Sequence, residues 1–196
     1  MEDQRVTDSL DWRSRRAAAT HQRIYDTAMQ LFHEHGFEHV SVGQIASGAG
    51  VSVPTFYAHY PSKEHIVMRL PSAEEVAQLI AGLPKDLPVG ERIRRAVPVW
   101  IGHWSPEELE AHLDRWRVIA TTPVLRTRAA EFERTTAGMV TDALPTEGGT
   151  LRPGDAVVVS AYLSAYTAGL LAWADGNGER KLEEHVYEAF DALERR

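Results

Sequence analysis

Between Ser41 and Lys63 the chain gathers side chains suited to hydrogen bonding a phosphate oxygen or a base edge: Ser41, Gln44, Ser52, Thr55, Tyr57, His59 and Lys63. Hydroxyls, a neutral imidazole and an ammonium are groups that proteins turn to the DNA backbone, and a threonine methyl can meet a thymine methyl. Other chemistry has less behind it. His33, His35 and His39 surround Gly36, and His103 precedes Glu107, Glu108 and His112. The first group sits at an expected helix end without the geometry of a catalytic centre, and the second gives no His-x-x-x-His pair on one helical face, so no metal site is expected. There is no cysteine, which excludes disulfides and thiolate ligands. No nucleophile elbow, phosphate-binding loop or dinucleotide fingerprint is present, and neither an enzyme nor a cofactor is expected.

The elements that must position these groups are short helices. Ser41 is an N-cap for a helix carrying Ile45, Ala46 and Ala49, which Gly48 and Gly50 end. Val51 lies in the turn, Ser52 caps the next helix, and Pro54 falls in its first turn, where a missing N–H is harmless. Phe56 and Tyr60, four apart, face inward, leaving Val53, Thr55, Tyr57, Ala58 and His59 on or near the outer face. Two helices joined by a glycine-containing turn make a helix-turn-helix, whose second helix lies in a DNA major groove. Before them, Ile24, Ala28, Leu31 and Phe32 mark the buried stripe of a helix from Trp12 to His35, which Gly36 stops. Phe37 and Val40 plug the base of this three-helix head, and residues 1–11, polar and aperiodic, read as a flexible arm. Arg13, Arg15 and Arg16 open the long helix, an unfavourable end for cations that a nearby phosphate backbone would explain.

Charge is distributed accordingly. The whole chain of 196 residues carries a net −7, yet residues 12–70 have a small excess of Lys and Arg, so the acidic excess falls outside them. A basic head on an acidic body suits local neutralisation of phosphates. Hydrophobic residues at 43% and charged residues at 25% are those of an ordinary globular protein with a core. The charged N-terminus lacks the apolar stretch of a signal peptide, and a cytoplasmic location is expected.

The stretch GVSVPTFYAHYPSK, with GFEHVSVGQIA before it, resembles the DNA-binding domain of the TetR (tetracycline-repressor-like) family of bacterial regulators. The Gly-Val-Ser, Thr-x-Tyr and Tyr-x-Ser-Lys elements occur together in that family's spacing over about 50 residues. The resemblance implies that Ser41, Thr55, Tyr57, His59 and Lys63 contact phosphates, while Val42, Gly43, Gln44, Ser52, Val53 and Pro54 lie nearest the bases. The sequence departs from the family at Gly43 and Val53, where many relatives carry a polar or basic side chain, so base readout leans on few residues.

From residue 71 the chain reads as a helical body, giving an all-α protein of nine to ten helices: arm 1–11, head 12–70, and a ligand-binding and dimerisation domain 71–196. Pro71 cuts one helix short and Ser72 caps the next; residues 83–91 form a turn-rich connection. A helix from Glu91 to His103 contains Pro98, which predicts a kink, and Ser105 caps a helix with Leu109, Leu113, Trp116 and Ala120 inward. Beyond Pro123 a long helix runs to Leu144, residues 145–155 form a loop, and Asp155 caps an uncharged helix that ends at residues 175–178. Length alone would let that helix cross a membrane, but flanking acids, missing basic anchors and interrupting hydroxyls argue against it. Its all-round apolar surface and small residues suit burial by its own core on one side and a partner on the other. With the last helix, which carries Leu182, Val186, Phe190 and Leu193, it would form a four-helix homodimer interface over residues 155–174 and 179–194, as TetR-like proteins do.

Trp100, Trp104, Trp116, Phe132, Met139, Tyr162, Tyr166 and Trp173 all fall on body helices, and aromatic-lined cavities between helices are the usual form of a small-molecule site. The stretch TPVLRTRAAEFERTTAGMV, with the helix ending at Trp173, is similar to the TetR subgroup whose body binds acyl-CoA-like effectors. That similarity implies Arg126, Arg128 and Arg134 as partners for anionic groups of a ligand. The expected function is an operator-binding homodimeric repressor released by a small apolar or acyl-CoA-like effector. The alternative is a helical small-molecule-binding protein without operator specificity.

Overall fold

The computed structural model describes residues 2–144 and 152–195, with side chains described for Trp12 and from Ser14 onward. Among these residues there are ten α-helices, one 3-10 turn and no strand. The chain divides into two compact units, Met1–Val67 and Met68–Arg196.

In the first unit, α1 (Glu2–His35) is followed by the 3-10 turn Phe37–His39, α2 (Val42–Gly48), α3 (Val53–His59) and the single turn α4 (Glu64–Val67). Helix α1 starts at Glu2, not near Trp12, so the segment expected as an arm is helical backbone from Glu2 on. No glycine or proline interrupts the chain before Gly36, and a nucleated helix propagates through residues of ordinary propensity at little cost. Ile24, Ala28, Met29 and Phe32 bury one stripe of α1, and Phe37, Val40, Ile45, Ala46, Ala49, Phe56 and Tyr60 complete the core. Helices α1 and α2 approach closely at Gly48, where a Cβ would lie 2.8 Å from the Thr27 methyl. Gly50 turns the chain between α2 and α3 at φ +64°, in the region that favours glycine.

The second unit comprises α5 (Ala73–Ala81), α6 (Val89–Ile101), α7 (Pro106–Thr121), α8 (Pro123–Ala143), α9 (Pro153–Asp175) and α10 (Leu182–Glu194). Ser72 and Ser105 cap α5 and α7 through reciprocal bonds with Glu75 and Glu108, as their spacing predicts. Helix α6 runs through Pro98 in its last turns, where the missing N–H forfeits one bond to the preceding turn. Asp155 does not cap α9. Arg152 holds that position and Pro153 opens the helix with its fixed φ, leaving Asp155 in the first turn, bonded to Arg152 at 2.8 Å. Residues 145–151, expected as a loop, lie outside the described residues. Leu193, expected inward on α10, is 46% exposed.

Helix α9 is the centre of this unit and packs against α6, α7, α8 and α10. Val159, Leu163, Ala165, Gly169, Leu170 and Trp173 form its buried side. It crosses α10 so closely that a Cβ on Gly169 would lie 2.8 Å from the Val186 Cα. Tyr162 ties this pair, donating to Glu194 at 2.6 Å, and Arg94 of α6 joins α10 by bonding Asp191 at 2.7 Å. By length and composition α9 is apolar enough to cross a membrane. Its other side, with Val157, Ser160, Ser164, Ala168 and Ala172, is exposed in a single chain.

Candidate nucleic-acid interface

Each end of the α2–α3 pair is fixed by its own cap. The Ser41 hydroxyl accepts from the Gln44 backbone N–H at 3.2 Å, and the Gln44 side-chain amide oxygen Oε1 accepts from the Ser41 N–H at 2.8 Å and from its hydroxyl at 2.9 Å. Ser52 accepts from the Thr55 N–H at 3.2 Å, and their hydroxyls pair at 2.7 Å. Four residues expected near DNA therefore also hold the helix starts. For Gln44 this has a chemical consequence. Paired donor and acceptor contact with an adenine uses both ends of the amide, and the closed box occupies the acceptor end, leaving the NH₂ to face outward.

The outer face is defined by exposure. Val53 is 41% and Tyr57 53% exposed, and Gly43, Pro54 and Ala58 are open, while Val42, Thr55 and His59 are half-buried. Beneath them Phe56 is fully buried and meets the edge of Tyr57 at 5.5 Å between centroids. Tyr57 points out from the core, as the spacing predicts. His59 lies 5.9 Å from the ring of His21, which stacks on Tyr60 at 4.2 Å and meets its hydroxyl at 2.8 Å.

Lys63 is placed differently from a simple phosphate ligand. Its ammonium donates to the carbonyls of Phe37 at 2.8 Å and Val40 at 2.9 Å and rests over the Phe37 ring at 4.3 Å. Burial pulls it below the ordinary lysine value, with Glu64 and Glu38 opposing. Two of its three N–H donors are thus used to brace the chain ahead of α2. Lys63 lines one open polar hollow with Ser41, Val42, Tyr57, His39 and Ser62. Arg23, given no role by the sequence, does similar work on the other side: its Nε donates to the Ala49 carbonyl at 2.9 Å and holds the turn between α2 and α3. That contact spans 26 residues, which no local spacing signals. Because α1 begins at Glu2, Arg15 and Arg16 lie within the long helix and do not open it as expected; Arg16 lies over the exposed Trp12 ring at 5.4 Å, and Arg15 is exposed.

In the body the structure gathers part of the expected aromatic set. Trp104, Trp116 and Trp173 meet around His112, with Trp104 nearest at 4.3 Å between centroids and Trp100 behind it; Trp104 falls in the bend between α6 and α7, not on a helix as expected. Trp173 is buried, and Trp100, Trp104, Trp116, Met139, Tyr162 and Tyr166 pack partly buried against the same core. Tyr162 is committed to structure: its ring stands 4.9 Å from Phe190, and burial with the Glu194 bond pushes its phenol up to about 12. Burial pushes the Tyr166 phenol up as well. Phe132 is half-buried on α8. Arg126, expected as an anion ligand, pairs with Asp175 at 3.3 Å on the surface, and Arg128 and Arg134 are exposed. His103 meets the Val99 carbonyl one turn back, and no group of three metal-ligating side chains is found among the described residues. His112 escaped the sequence reading as a pocket residue because helical spacing pairs it with Trp116 but cannot show that Trp104 of the connection and Trp173 of α9 converge on it.

This architecture has relatives. Residues 24–70 match the family model of bacterial regulatory proteins of the tetR family, and residues 87–196 match the MftR C-terminal domain. The chain is 35% identical over 115 residues to the regulator MftR of Mycobacterium tuberculosis, an alignment covering 57% of each protein. It is 31% identical over 122 residues to the transcriptional regulator TcmR of Streptomyces glaucescens, covering 58% of this chain and 53% of that one. It thus spans somewhat over half the length of these curated relatives. Among solved structures, NalD, the secondary repressor of the MexAB-OprM multidrug efflux pump in Pseudomonas aeruginosa, shares the fold with a TM-score of 0.55 at 21% identity, covering 92% of this chain and 96% of that one. A helix-turn-helix head with two matched domain models over most of its length has one reading: the chain belongs to the tetR family of bacterial regulatory proteins.

Proposed function

We propose that this protein is a cytoplasmic, homodimeric repressor that binds a pseudo-palindromic operator in double-stranded DNA and leaves it when a small apolar effector occupies the body. The observation that carries the reading is the doubly capped α2–α3 pair, which presents Val53, Pro54 and Tyr57 outward on a buried base of Phe56 and Tyr60. With α3 in a major groove, Val42, Gly43, Gln44, Ser52, Val53 and Pro54 would face base edges. Ser41, Thr55, Tyr57, His59 and the remaining N–H of Lys63 would face phosphates. A groove surface with so few polar side chains takes its specificity from apolar contact and DNA shape, with the phosphates fixing register.

The homodimer is proposed through α9 and α10. The exposed side of α9 carries one large aliphatic and four small side chains at helical spacing, a surface that lets a second copy approach closely and bury it. Two heads related by a two-fold axis read half-sites about 34–36 Å apart, or a multiple of that. An effector releases the DNA only by favouring a conformation whose heads no longer match that spacing.

The test is binding to the DNA upstream of the protein's own gene, followed by fluorescence anisotropy as salt is varied. A steep loss of affinity with salt, and weakening by Tyr57→Ala, are expected. Absence of sequence-preferring binding favours the alternative, a helical small-molecule-binding protein without an operator.

A further inference from the structure

Helices α7 and α9 and the connection between α6 and α7 bring tryptophans around an imidazole with one unsatisfied nitrogen. The His112 ring lies 4.3 Å from Trp104, 6.2 Å from Trp173 and 6.4 Å from Trp116 between centroids, and Trp100 backs Trp104 at 6.0 Å. Arg115, one turn along α7, stands with its Nη2 2.8 Å from His112 Nδ1. A guanidinium has no lone pair to offer, so Nδ1 is the acceptor and the ring proton sits on Nε2. That Nε2 is closed to solvent and has no hydrogen-bond partner. Buried donors are rarely left so, and one that is calls for an explanation. Burial first, then the charges of Arg115 and Arg69, lower His112 to about 3, which keeps the ring neutral at physiological pH.

We propose that His112 is the polar anchor of an effector site in the body: its Nε2–H donates to an oxygen acceptor on a flat, unsaturated and otherwise apolar molecule lodged among Trp104, Trp116 and Trp173. This rests on the effector-binding role proposed above and names the ligand class for it. Indoles offer flat π-faces that favour planar unsaturated partners over flexible chains. The bond from Arg115 draws electron density from the ring and strengthens the opposite N–H as a donor. The same positive surroundings that keep a second proton off His112 favour an electron-rich oxygen beside it. A site with a committed donor discriminates sharply, because a ligand lacking the acceptor leaves the donor unpaired.

The experiment is equilibrium dialysis of the full chain against two probes, 2-acetylnaphthalene and 2-isopropenylnaphthalene, which match in shape and differ by a carbonyl oxygen. The wild type is expected to bind the ketone about tenfold more tightly, the loss that a buried donor without its partner implies. His112→Phe keeps the ring and should bind both probes within about twofold of each other, by loss of the hydrogen bond. His112→Gln, whose amide N–H reaches the place of Nε2, should keep part of the preference. Equal binding of both probes by the wild type, as an N–H resting on an indole face would give, overturns the proposal, and so does binding of neither. A preference that survives His112→Phe also overturns it. Should His112→Phe fail to fold, the wild-type preference and the His112→Gln response decide the matter. Operator binding by the same preparation separates the two readings: intact DNA binding with no probe preference sinks this inference alone, while probe preference without DNA binding sinks the regulator reading.

Discussion

The Lys63 ammonium donates to the Val40 carbonyl at 2.9 Å, bracing the residue that immediately precedes the Ser41 cap. With the second bond to Phe37 it closes the base of the head. Lys63→Met is therefore expected to lower the stability of the head by about 1–3 kcal/mol, the range for stranding buried acceptors. Chemical denaturation measures this. A lysine that served DNA alone would leave stability unchanged and lower only affinity.

Tyr57 should behave in the opposite way. Its ring is 53% exposed and stands perpendicular to the Phe56 ring at 5.5 Å between centroids. Tyr57→Ala is expected to shift stability by less than about 0.5 kcal/mol, as for a surface change. Operator affinity should fall about tenfold with loss of a phosphate-directed hydroxyl and the surface behind it. Thermal melting and DNA titration of one preparation give both numbers.

Gly43 is exposed in the first turn of α2, and a Cβ there would meet only the Ser41 hydroxyl, at an ordinary 3.8 Å. Gly43→Ala should accordingly raise stability by about 0.5–1 kcal/mol by restricting the unfolded chain. A fall in stability would mean that α2 has a different start.

Gly169 is the converse. Its added Cβ would meet backbone atoms of Val186 at 2.8–3.0 Å, and backbone cannot swing aside as a side-chain end can. Gly169→Ala is expected to destabilise the body by about 1–3 kcal/mol, as overpacking does. If α9 and α10 also form the dimer interface, sedimentation should show weakened self-association.

His112 carries a pH signature. Its value falls from 6.5 in the unfolded chain to about 3 in the fold, so between those values the unfolded state binds the extra proton. Stability is therefore unaffected by this group above about pH 6.5 and falls as pH drops, by about 1.4 kcal/mol per unit at most. Subtracting the profile of His112→Phe from that of the wild type isolates the contribution between pH 6.5 and 4. A flat difference would place His112 in water.

The head was largely legible because its signals are local. Ser41 with Gln44 and Ser52 with Thr55 lie three residues apart, and the caps formed as that spacing implies. Phe56 and Tyr60 fall on the buried side of α3 for the same reason. What escaped is long-range. Lys63 and Arg23 reach carbonyls 23 and 26 residues away; an outward phosphate role was the expectation for Lys63, and Arg23 carried none. In the body the tryptophans were singled out one by one, yet the meeting of Trp104, Trp116 and Trp173 at His112 depends on how α7 packs on α9 and on the bend that precedes α7. Arg126 shows the same limit in reverse, since Asp175 of α9 takes up the charge that sequence similarity assigns to a ligand.

Selection from a random double-stranded pool asks whether a two-fold pair of these heads reads DNA. The full chain, equilibrated with random duplexes of about 40 base pairs over several rounds, is expected to enrich an inverted repeat with half-site centres one helical turn apart or a multiple of it. Tyr57→Ala should sharply reduce the enrichment. A pool that stays random, or that converges on a single unrepeated site bound by one chain, would contradict the account.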